Sequence, residues 1–374
     1  MKSVIWPGMA MVAVCYAFAR FAFALFLPEI AREFNLNSAE TGRIQSLSYL
    51  AYTLALLASS FTLRTIGQRY TILLTGICAI TGLTIIALSS GIYSLAGGLF
   101  LAGLSTGWVS PVLGQLVVRL TVVDRQNGAN AWINSGSGVG IVLSGLTAVI
   151  LGTSWRSAYG LFAAAGCLVL IWMFYRLRGT SNDFPQGNHL WKEARKSGRL
   201  LPASLLAGLG CSVYWTYLIS HLQSEQQLSA SQASLYWIAV GGAGIVGGMA
   251  SQIAGLLGIR RAYAIAVLSL SASVALIAMS VPSVSLISSL LFGTGYVFIT
   301  GLFILWGTGI QGSSPSAQIS LSFFALGVGQ FAGSWLAGTW IENLGYNPAF
   351  LLFALILLGG LLFCPTTIKP GSSA

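Results

Sequence analysis

Charge is what this sequence has least of: charged residues make up 7% of its 374 positions, against 55% hydrophobic residues. Soluble globular chains carry about 25% charged residues. Because so few charges cannot keep so much apolar surface out of water, the composition excludes a soluble fold. With a mean hydropathy of +0.81, the chain is predicted to be an all-α membrane protein, since helices satisfy their own backbone hydrogen bonds in lipid.

Acidic residues are rarer still. The chain has eight, and we place all of them in loops or at the ends of apolar runs: Glu29, Glu33, Glu40, Asp124, Asp183, Glu193, Glu225 and Glu342. No carboxylate therefore stands in mid-membrane as an evident proton relay. The net charge of +10 does not indicate nucleic acid binding, because the basic residues lie between apolar runs and not on a soluble domain.

Motifs for covalent, metal or phosphate chemistry are also missing. The five cysteines lie in apolar runs and lack the spacing of metal ligands. The sequence contains no glycine-rich phosphate-binding loop and no catalytic motif. We therefore expect no cofactor, no metal, no enzymatic activity and no ATP-driven step within this chain.

Long apolar runs are what the sequence does have, and each span of a bilayer needs about 20 such residues. We predict twelve spans, at residues 4–27, 44–62, 71–90, 94–117, 130–151, 157–176, 201–221, 234–256, 262–281, 284–307, 317–339 and 348–365. One connection is long and polar, and it ends in a basic cluster. We therefore expect two six-helix halves, residues 1–178 and 201–374, joined by a linker at 179–200.

Basic residues are strongly biased to one side of these spans. With both termini on the same side, 14 of the 18 Lys and Arg residues share that side, three (Arg32, Arg43 and Arg156) lie opposite, and Arg20 lies inside the first span. Lys and Arg accumulate in cytoplasmic loops. We therefore expect both termini to be cytoplasmic.

An internal repeat supports the division into halves. Residues 155–162 (WRSAYGLF) align with 346–353 (YNPAFLLF) at an offset of 191, as do 67–70 (GQRY) with 258–261 (GIRR). Residues 138–140 align with 327–329 at an offset of 189, and 107–108 with 295–296 at 188. Four ordered matches at a nearly constant offset indicate a parallel 6+6 repeat, and such repeats place a binding site at their interface near the midplane.

Twelve spans, this repeat and a long central loop resemble the major facilitator superfamily (MFS) of transporters. The loop after the second span carries part of the family's Gly-x-x-x-Asp-Arg-x-Gly-Arg-Arg pattern: Gly67 and Arg69 match, while Arg64 replaces the acid. The segment 19–22 (ARFA), followed by Leu27 and Pro28, is similar to a poorly characterised bacterial branch. The resemblance implies an MFS fold, alternating access, secondary active transport, a bacterial inner membrane and a monomer.

Arg20 is the leading candidate functional residue. A charge at membrane depth is costly and marks a functional site by default. On an α-helix Arg20 shares a face with Tyr16, Phe23 and small alanines, and its planar fork of donors matches a carboxylate or phosphate. It is predicted to anchor an anionic group of the substrate. The alternative is a structural Arg that caps backbone carbonyls or reaches the surface.

Polar and aromatic stripes on other spans predict the rest of a central cleft, because amides and phenols are disfavoured against lipid. The alternative for each residue is a hydrogen bond between helices. The predicted substrate-binding residues are Arg20, Tyr16, Gln45, Tyr49, Tyr52, Trp108, Gln115, Asn134, Tyr214, Tyr217, Tyr296 and Gln330. Glu29 and His221 are the candidates for coupling to H⁺ or another ion.

Three functions remain open from the sequence. The first is a secondary transporter of a small organic solute, anionic because of Arg20. The second is a broad exporter of drugs or metabolites, which an aromatic cleft suits but an unpaired Arg opposes for cations. The third is a membrane receptor built on a carrier fold. The expected partners are the small-molecule substrate, a coupling ion and the lipid bilayer.

Overall fold

A computed structural model describes residues 4–178, 193–246 and 250–365. Every regular element within these ranges is a helix, which confirms the predicted all-α class. Most of the predicted linker, residues 179–192, lies outside the described residues, as do Lys2, Lys192 and Lys369.

The first half of the chain forms five helices: α1 (Ile5–Phe34), α2 (Ser38–Ala87), α3 (Ile92–Leu120), α4 (Val123–Leu151) and α5 (Trp155–Arg176). Helix α2 contains both the second and the third predicted spans in 50 residues, and its backbone leaves helical geometry at Gly67. Two helical segments therefore meet at Gly67, and the half crosses six times.

The second half forms seven: α6 (Leu200–Glu225), α7 (Ala230–Val246), α8 (Ala250–Leu257), α9 (Ile259–Ile277), α10 (Pro282–Thr308), α11 (Pro315–Leu344) and α12 (Tyr346–Gly359), which continues into a 3₁₀ turn (Gly360–Phe363). Ten helices in the described ranges are long and apolar enough to cross a membrane. The second crossing of α2 and the pair α7 and α8 account for the other two predicted spans.

Helix ends follow local sequence signals. Asn37 accepts a hydrogen bond from the Glu40 amide, and the Glu40 carboxylate accepts one from the Asn37 amide, which is a capping box at the start of α2. Gly67 and Gly258 take positive φ of 75° and 79°, a conformation that glycine adopts without strain. These two glycines stand 191 residues apart, at the offset of the sequence repeat.

The helices extend further than hydropathy predicts. The first predicted span ends at residue 27, whereas α1 continues to Phe34, with Pro28 inside it. Hydropathy detects only the part of a helix that lies in hydrocarbon, and a polar continuation of the same helix is invisible to it. Glu29, expected at a span end, is thus a helical residue and is buried, at 6% exposure.

The two halves meet along two pairs of helices, α2 with α11 and α4 with α7, and the last part of α1 packs against α6 between them. We call the end of the bundle where Ile5 and Phe363 lie the terminal end, and the end near the α1–α2 turn at Asn35 the distal end. This arrangement leaves a central space bounded by α1, α4, α7, α10 and α11.

Candidate functional site

A cavity of about 530 Å³ lies between the halves. Its lining comes from helix segments that lie between the middle of the bundle and the terminal end. These are residues 12–21 of α1, 128–141 of α4, 240–245 of α7, 293–304 of α10 and 323–326 of α11. Asn134 and Trp132 on its α4 wall are exposed. The cavity therefore reaches the terminal side of the molecule.

Arg20 lies at the inner end of this cavity and is 1% exposed. Its Nη2 donates a hydrogen bond to Gln330 Oε1 on α11, in the other half. Its guanidinium carbon lies 3.9 Å from the centre of the Tyr52 ring and 5.0 Å from that of Tyr49. No carboxylate among the described residues forms an ion pair with Arg20, so an amide and aromatic faces stabilise its charge.

A short chain of hydrogen bonds extends from Arg20 across the second half. Gln330 Nε2 donates to the Tyr296 hydroxyl at 3.2 Å, which leaves the Tyr296 proton free to be donated. On the other side of the guanidinium, the Tyr16 and Ser110 hydroxyls lie 3.0 Å apart. The polar groups nearest to Arg20 are therefore neutral.

The backbone of α1 around Arg20 is a π-helix from Ala13 to Phe21. Side chains from neighbouring helices donate to carbonyls of this π-helix: Thr106 Oγ1 to the Cys15 carbonyl at 2.9 Å, and Gln45 Nε2 to the Arg20 carbonyl at 3.4 Å. π-helical turns occur frequently at functional sites. Here the turn brings Tyr16, Arg20 and Phe21 to the cavity.

The distal end of the central space is closed by contacts between the halves. The rings of Phe21 and Trp215 stack with centres 4.2 Å apart. Gln223 Nε2 donates to Glu29 Oε1 at 3.2 Å, and the Tyr217 hydroxyl donates to the Ser38 carbonyl at 2.7 Å. The cavity is consequently open toward one end of the bundle and sealed at the other.

Eight of the twelve predicted binding residues gather around this cavity. Five line it (Tyr16, Arg20, Tyr52, Asn134 and Tyr296), and three stand behind Arg20 in contact with it (Gln45, Tyr49 and Gln330). These eight come from α1, α2, α4, α10 and α11, so the stripes on different helices do converge.

The other four predicted binding residues lie elsewhere. Trp108 is absent from the cavity lining. Gln115 accepts a hydrogen bond from Gln68 at 3.4 Å near the terminal end. Tyr214 stacks on Phe292 at 3.9 Å within the second half, and Tyr217 belongs to the distal closure. Gln115 and Tyr214 therefore take part in packing between helices, and Tyr217 takes part in the closure.

The two coupling candidates also lie outside the cavity, toward the distal end. Glu29 is bonded to Gln223 across the halves. His221, the last residue of the predicted span 201–221, is fully buried, and there its Nε2 lies 2.8 Å from Asn347 Oδ1 and its ring packs edge-on against Phe350. A span end in the sequence therefore did not mean a surface position for His221.

Several lining residues were not predicted. Phe21 takes the place expected for Phe23, because the π-helix brings Tyr16, Arg20 and Phe21 to one face where an α-helix would not. Trp215 and Phe323 are apolar residues in apolar helices, and no pattern separates them from core. The glycines at 136 and 140 of α4 pack closely against Met9, Ala13 and Ala17 of α1.

A family model for the Major Facilitator Superfamily matches residues 9–318. The chain belongs to this superfamily. This confirms the family resemblance and the MFS fold; the bacterial branch stays a prediction. By sequence, no curated protein matches the chain.

Solved structures agree with the superfamily fold. A mutant of the nucleoside transporter NupG superposes with a TM-score of 0.78 at 12% identity, covering 95% of this chain and 97% of that one. A POT family transporter in complex with 5-aminolevulinic acid gives 0.79 at 13%, with 96% and 95% covered. A mutant of the peptide transporter POT gives 0.75 at 14%, with 97% and 92% covered. At these identities the likeness shows the fold, which is that of an integral membrane transporter.

Proposed function

We propose that this superfamily member moves a small organic anion across the inner membrane as a monomer, with both termini in the cytoplasm. The observation that carries the proposal is Arg20: a guanidinium buried between the halves, beside a cavity, and bonded to the amide of Gln330. A buried cation without a counter-ion is costly. An anionic cargo would supply that counter-ion through charge-assisted hydrogen bonds.

Alternating access is supported by the asymmetry of the two ends. The cavity extends toward the terminal end, while side-chain contacts between α1, α2, α6 and α11 close the distal end. In carriers built from repeats, one half rocks against the other around a fixed midplane site. The arrangement fits a carrier whose cargo site faces the terminal side, which the charge bias assigns to the cytoplasm.

The similar structures are compatible with such a cargo. One of them, a POT family transporter, was solved in complex with 5-aminolevulinic acid, a small molecule that carries a carboxyl group and an amine. The aromatic lining also favours a second candidate, a broad exporter of drugs or metabolites. Arg20 opposes cationic drugs, so a susceptibility screen in a host without other pumps separates the two: an anion carrier leaves resistance to cationic drugs unchanged.

Substitution of Arg20 tests the proposal directly. Arg20→Gln removes the charge, and Arg20→Lys keeps it while removing the bidentate fork. A hydrogen bond to a charged group contributes about 1.5–3 kcal/mol, so we expect Arg20→Gln to weaken binding of an anionic substrate by about 10- to 150-fold. Arg20→Lys should fall between Arg20→Gln and wild type.

The measurement is a thermal-shift screen of the purified proteins against organic anions, because a ligand of the folded state raises apparent stability. Uptake into proteoliposomes follows for each hit. Tyr263→Phe serves as the folding control, since the Tyr263 hydroxyl bonds the Gly360 carbonyl in the second half, away from the cavity. Equal transport by Arg20→Gln and wild type would contradict the anchor role.

A further inference from the structure

The cavity lining is almost free of charge. Among the described residues that line it, Arg20 is the one charged side chain. A second negative charge on a cargo would be desolvated without gaining a counter-ion, and this is unfavourable in a site of low polarity. The site therefore complements one negative charge.

Three aliphatic hydroxyls of the lining are already used as donors. Ser135 Oγ donates to the Trp132 carbonyl at 2.7 Å, Ser137 Oγ to the Asn134 carbonyl at 2.9 Å, and Thr300 Oγ1 to the Tyr296 carbonyl at 3.0 Å. Each hydroxyl has one proton, so these three offer the cavity little beyond acceptor lone pairs. The donors that remain include the Tyr296 hydroxyl, the Asn134 amide and the Trp215 indole, and a cargo with many hydroxyl or further anionic groups would exceed them.

The remaining surface is flat and apolar. Phe21 and Tyr52 lie against the guanidinium, Trp215 stacks on Phe21, and the Trp215 and Tyr296 ring centres are 5.0 Å apart. Glycines at 138, 241, 244 and 293 also belong to the lining, and there they let the neighbouring helices approach one another closely. Aromatic rings prefer offset or edge-on contact with other rings.

From these three observations we infer that the cargo is a monoanion with a flat, largely apolar body, its charge at Arg20 and its body along the aromatic wall. A volume of about 530 Å³ admits a molecule of one or two rings, within the range of pockets that hold small organic ligands. The inference rests on the proposed function, since it takes Arg20 as the anchor.

Four probes test charge number and body separately. Naphthoate is the flat monoanion, naphthamide the same body without charge, naphthalenedicarboxylate the same body with two charges, and gluconate a monoanion with a polyhydroxylated body. Binding of each to the purified full-length protein is measured by thermal shift and titration calorimetry. We expect naphthoate to bind at least about tenfold more tightly than each of the other three.

Two results would overturn the inference: naphthalenedicarboxylate or gluconate binding as tightly as naphthoate, or no binding of naphthoate at millimolar concentration. The same titrations on Arg20→Gln keep the proposed function separate. If the dianion or the polyol binds wild type better and Arg20→Gln loses that binding, the anchor role stands and only the cargo class is wrong. If Arg20→Gln binds naphthoate as wild type does, the anchor role itself fails.

Discussion

At the residue scale, the pair Arg20 and Gln330 is the centre of the proposed anion site. Each belongs to a different half, and their hydrogen bond crosses the cavity's inner end. An anion bound to the guanidinium competes with Gln330 Oε1 for the same donors. Gln330 is therefore placed to occupy Arg20 when no cargo is present.

Exchanging this amide tests the competition. Gln330→Glu places a carboxylate beside Arg20, so we expect a higher melting temperature and at least about tenfold weaker binding of an anionic ligand, since the internal pair neutralises the site. Gln330→Leu removes the acceptor, and it should lower the melting temperature without weakening anion binding. Thermal denaturation and ligand titration of both variants check the signs, and weaker binding by both to the same extent would contradict them.

At this scale the sequence identified residues whose burial in a membrane is energetically costly. It did not predict which neighbouring helix a given polar face contacts. Arg20 and Gln330 stood out because polar groups are rare in apolar helices. Trp108 and Gln115 were assigned to the cleft from helical spacing, yet spacing defines a stripe without saying which neighbour it faces. Trp108 lies outside the lining, and Gln115 bonds Gln68.

At the element scale, the π-helical part of α1 depends on close approach of α4. A Cβ built on Gly140 would lie 2.6 Å from Ala17 Cβ and 2.9 Å from Ala13 Cα, inside the π-helix. Nothing with a side chain fits between these helices, so α1 can present Arg20 at this depth only because position 140 is glycine.

Gly140→Val should therefore force α4 away from α1. Overpacking costs about 1–3 kcal/mol, and we expect a lower melting temperature together with lost anion binding, because Arg20 moves. Gly97→Val is the matched control: Gly97 lies in α3 with nothing within 4 Å of an added Cβ. Fluorescence-detected size-exclusion chromatography and thermal denaturation compare the two, and equal behaviour would argue against a role for the α1–α4 contact.

The helices themselves were predictable from length and hydropathy, since crossing hydrocarbon needs a long apolar run. The π-helix was not, because hydropathy carries no information on whether a carbonyl bonds four or five residues ahead. The break between the second and third spans was predictable, since the polar stretch around Gly67 is where the backbone leaves helical geometry. Counting apolar residues does not locate the ends of helices that extend beyond the lipid.

At the scale of the whole molecule, the distal closure is built on glycine contacts between α2 and α11. A Cβ on Gly338 would lie 2.7 Å from the Tyr217 hydroxyl oxygen and 3.1 Å from Gly42 Cα. The Ser38 amide donates to Glu342 Oε2 at 2.9 Å beside them. The two halves approach this closely only because neither glycine has a side chain.

Gly338→Val is expected to keep the distal end open, shifting the population toward the opposite-facing state. The measurement is the distance between spin labels placed at Glu40 and Asn343, in a background without the native cysteines, which should lengthen in the variant. Gly91→Val, also at the distal end but with open space around an added Cβ, should leave the distance unchanged. An unaltered distance in Gly338→Val would exclude these glycines as determinants of closure.

The overall architecture could be predicted because the chain contains it twice. Gly67 and Gly258, which are separated by the offset of the repeat, both have positive φ. The sequence repeat is therefore also a repeat of backbone geometry. What the repeat could not indicate is which end is closed, since two related halves support either state equally.

Trp215 gives the molecule an optical property of its own. Its indole is 3% exposed and stacked on Phe21 where the halves would part. When the distal end opens, that ring must exchange an aromatic neighbour for water, and its emission should move to longer wavelength. In a variant whose other tryptophans are replaced by phenylalanine, the emission wavelength of Trp215 would then report opening of the distal end without an attached dye.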